Sequence, residues 1–267
     1  MCLATLLRIP RQHRDLSYAL LMYAAVAAAD LVWCRLHKGS WCRWRVVTLL
    51  AFAVCDIPMT RCGLVPVGMS QVTATPPGAW GTLYHIAAFV LASRLLANLV
   101  LWCQLHRISW VLPANTFMVL HNLSGNGDTC NAAVLTGSAA AQRATRLLAG
   151  ALRLLSFPGP PPPRDAPLPS VAEECRTVLA YLQLCLGLVA PAVAVACLET
   201  RLYAQHAAQR RRAGLPPERG WWHPRLYAAL ADAGQGLDRF TGPVLAWTAS
   251  AVLHAVAVAV SRAQGDA

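Results

Sequence analysis

Charge is scarce in this chain. Asp, Glu, Lys and Arg make up 13% of its 267 residues, about half the ~25% of an ordinary soluble protein. Of the 23 basic residues only Lys38 is a lysine. With the abundant alanine, that bias points to GC-rich coding, so arginine is not read as chosen for its fork geometry. Several chemical signatures are also missing. There is no CxxC, no phosphate-binding Walker loop, no nucleotide-binding glycine fingerprint, no HExxH, no GxSxG and no EF-hand loop. The enzyme and cofactor classes built on those motifs are thereby disfavoured, and no cofactor is expected. The ten cysteines are dispersed, several inside apolar runs, where a thiol behaves as a small hydrophobe. Their spacing suggests neither a disulfide framework nor a zinc site.

What is present is apolar surface. Hydrophobic residues make up 56% of the chain, and the net charge is +11. Thr177–Leu198 contains 22 residues and no charge, and Pro243–Val260 contains 18 and no charge. About 20 apolar residues in a helix cross a bilayer core. Three further runs carry isolated charges: Leu16–Trp33 holds Asp30, Val46–Met69 holds Asp56, Pro58 and Arg61, and Ala79–Leu105 holds Arg94. The run 108–121 is short. Eight of the nine tryptophans lie at or just outside run ends, where indoles favour the headgroup level. The competing reading is a soluble helical bundle with surface tryptophans.

These features predict an all-α fold, a polytopic transmembrane helical bundle of about six spans (five to seven). The expected spans are 16–33, 46–69, 79–105, 108–121, 177–198 and 243–260, in one integral membrane domain. Between them, 131–157 reads as an amphipathic interfacial helix bearing Arg143, Arg146 and Arg153. The stretch 158–170 reads as a proline-rich linker. A basic loop covers 199–241 and includes a short surface helix after Pro224.

Sidedness follows from loop charge. Arg35, Lys38, Arg43 and Arg45 lie in one loop; Arg201, Arg210, Arg211, Arg212, Arg219, Arg225 and Arg239 lie in another. Both should be cytosolic, which needs an even number of crossings between them. The short run 108–121 supplies the fourth, and both termini then face the non-cytosolic side. A second reading takes Arg8, Arg11, Arg14 and the following AAVAAAD as a cleavable signal. In either case Arg210–Arg212 reads as a topology cluster placed near anionic lipid headgroups. Nucleic-acid binding is not expected.

Three groups of residues are candidates for chemistry. A hairpin folded about Thr75 brings Asp56 and Arg94 to matching depth, with Arg61 further out. Unpaired mid-bilayer charges are costly, so Asp56 and Arg94 should pair. Asp30 is expected to snorkel to the interface. Asn122-Leu123-Ser124 is an N-glycosylation sequon on the non-cytosolic side. Ala251, Ala255 and Ala259 form a small-residue stripe suited to packing against other membrane helices. Functionally, the expectation is a multi-pass membrane protein with a structural or partner-binding role, its partners the lipid bilayer, anionic headgroups and other membrane helices. The alternative is a small-solute or ion transporter using Asp56, Arg61 and Arg94. A membrane haem protein with paired histidines is a distant third.

Overall fold

A computed structural model describes residues 14–41, 43–48, 51, 78–92, 108–131, 138–155, 169–215, 227–229, 232 and 241–264. All regular structure among them is helical, and there is no strand. The larger helices are α1 (Arg14–Leu36), α2 (Ala79–Ala92), α3 (Ile108–Ser124), α4 (Asn126–Asn131), α5 (Ala139–Leu155), α6 (Val171–Leu182), α7 (Ala190–Arg212) and α8 (Thr241–Ala263). A π-helical segment, Gln183–Val189, joins α6 to α7. Together these make one helix of 42 residues, Val171–Arg212.

That long helix and Pro243–Ala263 are the two, among the described residues, long and apolar enough to cross a membrane. Six were expected. Segment 16–33 falls in α1, 108–121 in α3, and 79–105 is described as helix over Ala79–Ala92. Most of 46–69 lies outside the described residues.

The long helix organises the rest. It starts sharply because Ser170 caps it: the Ser170 hydroxyl accepts the N–H of Glu173 at 3.2 Å. Glu173 and Glu174 in the first turn complement the positive end of the helix dipole. It ends just as sharply. Leu215 N–H bonds to Arg210 O and Gly214 N–H to Arg211 O, with Gly214 at φ +67°. This is a Schellman closure, which needs a residue in the left-handed region. In its middle, Pro191 has no N–H for the carbonyl four residues back, and its ring crowds that carbonyl. The backbone widens just before it, and Ala190 N–H reaches back five residues to Cys185 O.

Two elements flank the long helix. α3 runs antiparallel to it: Ile108 at the start of α3 meets Glu199, and Asn126 just past its end meets Gln183. α8 is antiparallel too, with Ser250 against Tyr181 and Ser261 against the backbone of Glu173. Gln264, just past α8, donates to Leu123 O at 2.6 Å and joins the two flanking elements. The core lies at this end, with Val119, Leu123, Leu152, Val178, Leu179 and Ala257 buried together.

The segment read as an amphipathic helix over 131–157 is helical over Ala139–Leu155. Its buried face is Ala140, Ala141, Ala144, Thr145, Ala149 and Leu152. These mostly small side chains let it pack closely on α2, α6 and α8. Arg143 and Arg146 point outward, and Arg153 pairs with Glu174 at 2.8 Å.

Ser124–Asp128, despite its Gly and Asn residues, is a single turn at Gly125 followed at once by α4. Two local expectations are corrected. The basic loop 199–241 is helical up to Arg212, because Glu199–Arg212 lacks a breaker before Gly214. The cysteines do form a crosslink: Cys130 in α4 and Cys175 in α6 are joined, 45 positions apart in sequence. No spacing rule flags such a pair; it arises because α4 packs on α6.

Candidate functional site

The polar groups inside the helix bundle are the candidate site, and α3 with α4 supplies most of them. Asn115, Asn122 and Asn126 are all buried. Asn126 meets the start of the π segment, and Asn115 and Asn122 lie in α3, which packs on that segment. Asn126 and Gln183 form a reciprocal carboxamide pair, with both N–H···O distances 2.9 Å. Each satisfies one donor and one acceptor of the other, which is what makes two buried amides tolerable. Asn115 is 1% exposed, and its amide has no hydrogen-bond partner among the described residues. His85 on α2, also 1% exposed, likewise has two unpartnered ring nitrogens among the described residues.

A second group lies between the long helix and α8. Tyr181 Oη and Ser250 Oγ are 2.7 Å apart. The His254 ring meets the Tyr181 ring edge-on at 6.3 Å. Ser250 is therefore bonded to Tyr181 and not to His254. No activated nucleophile results, since activation requires a hydrogen bond between hydroxyl and base.

A third group closes the opposite end. The Glu199 carboxylate accepts the N–H of Ile108 at 3.2 Å and the phenol O–H of Tyr227 at 2.9 Å. An acid at this position satisfies an orphan donor at the start of α3 and complements its dipole. The Tyr203 and Tyr227 rings pack at 5.4 Å beside it.

The residues singled out from sequence fall as follows. Asp56, Arg61 and Arg94 lie outside the described residues. Arg210, Arg211 and Arg212 form the last turn of α7. Asn122 is 3% exposed inside α3. Asp30 does not snorkel. It is buried, and its carboxylate accepts the Trp41 indole N–H at 2.8 Å. The helix is interrupted at residue 37 and a further helical stretch, 38–41, follows, bent so that it delivers that indole. His85, His121 and His254 each meet an aromatic ring, respectively Tyr84, Phe117 and Tyr181. No group of three or more His, Cys, Asp or Glu side chains is placed to hold a metal among the described residues.

Sequence reasoning missed Glu199, Asn126 and Gln183. A helix-start carboxylate taken from a distant segment leaves no local pattern. A lone Gln in a 22-residue uncharged run was a usable signal, because a buried carboxamide requires a partner. No family model, no curated protein and no solved structure matches this chain.

Proposed function

We propose that this chain is a multi-pass integral membrane protein with a structural or partner-binding role, embedded in lipid and packed against other membrane helices. The observation that carries the reading is the bareness of α8. Only 11% of its apolar stretch is covered by the rest of the chain, against 44% for the long helix. Val244, Leu245, Trp247, Val252 and Val256 stand outward. Left in water, each of these half-exposed side chains forgoes about 1 kcal/mol of burial, roughly half the value for a whole side chain. Against lipid chains the penalty disappears. A core helix of a soluble protein would be covered.

The six-span arrangement belongs to this proposal, and two features support its sidedness. The Cys130–Cys175 crosslink is of a kind that forms in an oxidising compartment, which supports a non-cytosolic position for the segment between the proposed fourth and fifth spans. The antiparallel long helix then carries Arg210–Arg212 to the cytosolic side, as loop charge demands. Alkaline extraction and cysteine accessibility test it. The chain is expected to stay with membranes at high pH. A cysteine at position 213 should react with an impermeant maleimide from the cytosolic face, and one at position 128 from the other face. Release at high pH, or labelling of both from one side, defeats the reading.

A second reading, passage of a small solute or ion by way of Asp56, Arg61 and Arg94, is favoured by one observation. Asn126 and Gln183 pair at the start of a π segment, a feature found often at functional sites, and Asn115 and Asn122 are buried in the helix that packs on it. Solute flux into liposomes that is abolished by Asp56→Asn would support it; equal flux in both proteins would exclude it.

A further inference from the structure

The long helix does not stop where its apolar run stops. Leu198 ends the uncharged stretch, and α7 continues to Arg212. At 1.5 Å per residue, Arg210 stands ~18 Å beyond Leu198. A tilt of ~20° shortens that by only about 1 Å. The headgroup layer on each side of a bilayer is ~5–8 Å deep. A gap of about 10 Å remains, longer than the ~8 Å over which salt screens a charge. The arginines at the tip therefore project past the headgroups of their own bilayer.

The projecting part has a defined face. Arg201, Leu202, Gln205, His206, Gln209 and Arg212 are all exposed and fall within ~140° of one another at about 100° per residue. Arg201 and Arg212 end this face, ~16 Å apart, with the apolar Leu202 and the amides of Gln205 and Gln209 between them. No acidic residue occurs from Thr200 to Pro217, so no neighbour in that stretch neutralises it. Arg211 points to the opposite side of the helix. The nearby aromatic, Tyr203, is half-buried and packed on Tyr227, so among the described residues the ring this face presents is the His206 imidazole alone, short of the successive aromatic platforms on which single strands stack.

We propose that this face docks an acidic helical segment of a cytosolic protein, carrying carboxylates ~16 Å apart with small or apolar residues between. The proposal rests on the membrane reading and the sidedness given above. It concerns a partner in solution, not the headgroups of the chain's own membrane.

The test uses the full chain in nanodiscs of pure phosphatidylcholine. The probe is a fluorescent alanine–leucine helix of about 20 residues with glutamate pairs ~16 Å apart, and the measurement is anisotropy. Saturable binding is expected, weakened about tenfold in Arg201→Gln/Arg212→Gln, as two exposed ion pairs allow. Arg211→Gln should change it less than about twofold. Equal loss in Arg211→Gln would mean undirected charge attraction and overturn the proposal. So would tighter binding of a single-stranded RNA oligonucleotide with the same arginine dependence. Loss of peptide binding when phosphatidylserine is added would also overturn it, because the bilayer would then hold the arginines. A chain that fails to enter the discs overturns the membrane reading itself, and this proposal with it, before any titration begins.

Discussion

Asn126 and Gln183, 57 residues apart in sequence, grip each other through two hydrogen bonds of 2.9 Å in a buried interface. The pair sets the register between α4 and the start of the π segment. Replacing either partner by leucine strands the other carboxamide, which should cost about 1–3 kcal/mol. The double variant Asn126→Leu/Gln183→Leu removes both polar groups and should recover part of that loss. Thermal unfolding of the four proteins in detergent measures the coupling; additive losses would show that the two amides act independently.

Cys130 and Cys175 are both buried, so their crosslink is structural. Closing a loop of 45 residues contributes at most about 4 kcal/mol by chain entropy. Cys175→Ser should therefore lower the unfolding temperature and leave Cys130 as a free thiol. Non-reducing peptide mapping of the unaltered protein should find the two cysteine peptides joined. Two unlinked alkylated peptides would refute the crosslink and remove its support for sidedness.

Pro191 and the π segment are linked by backbone chemistry. Pro191→Ala restores the missing N–H and removes the ring clash, so the α-helical pattern becomes available through 183–189. Loss of one π-inserted residue turns everything beyond it by about 100°. Glu199 would then leave Ile108 and Tyr227. Cysteines introduced as Glu199→Cys and Tyr227→Cys should be bridged readily by a short bismaleimide in the parent and poorly with Pro191→Ala. Undiminished crosslinking would show that the π segment does not depend on the proline.

Asn122 is part of a sequon yet lies buried within α3. Folded, it offers no surface for an oligosaccharide. Expression in a glycosylating host should give a chain whose electrophoretic mobility is unchanged by endoglycosidase. Asn122→Asp, which buries a carboxylate in its place, should destabilise the fold by several kcal/mol. A mobility shift on endoglycosidase treatment would place Asn122 at a surface.

The candidate site was only partly readable in advance. The arginine triplet was visible because three adjacent cations need no fold to be noticed. Its position at the tip of a continuous helix was not, since Glu199–Gln209 is polar enough to look like a loop. Asp30 was visible as a charge inside an apolar run. Its partner Trp41 was not, because the link spans a break in the helix at residue 37. Glu199 resembled an ordinary loop acid until α3 was seen to begin beside it.

Composition and hydrophobic run length alone pointed to helix, which the described residues show, and to Thr177–Leu198 and Pro243–Val260 as parts of long apolar helices. Those are properties of neighbouring residues, and the 3.6-residue turn needs nothing further. Tertiary packing decided which distant residues meet: Cys130 with Cys175, Asn126 with Gln183, Tyr181 with Ser250, Glu199 with Ile108. An apolar run looks much the same on every side, so sequence carries little information about which of its faces meets which neighbour. That choice is made by the fit of small side chains and by the need to pair each buried polar group.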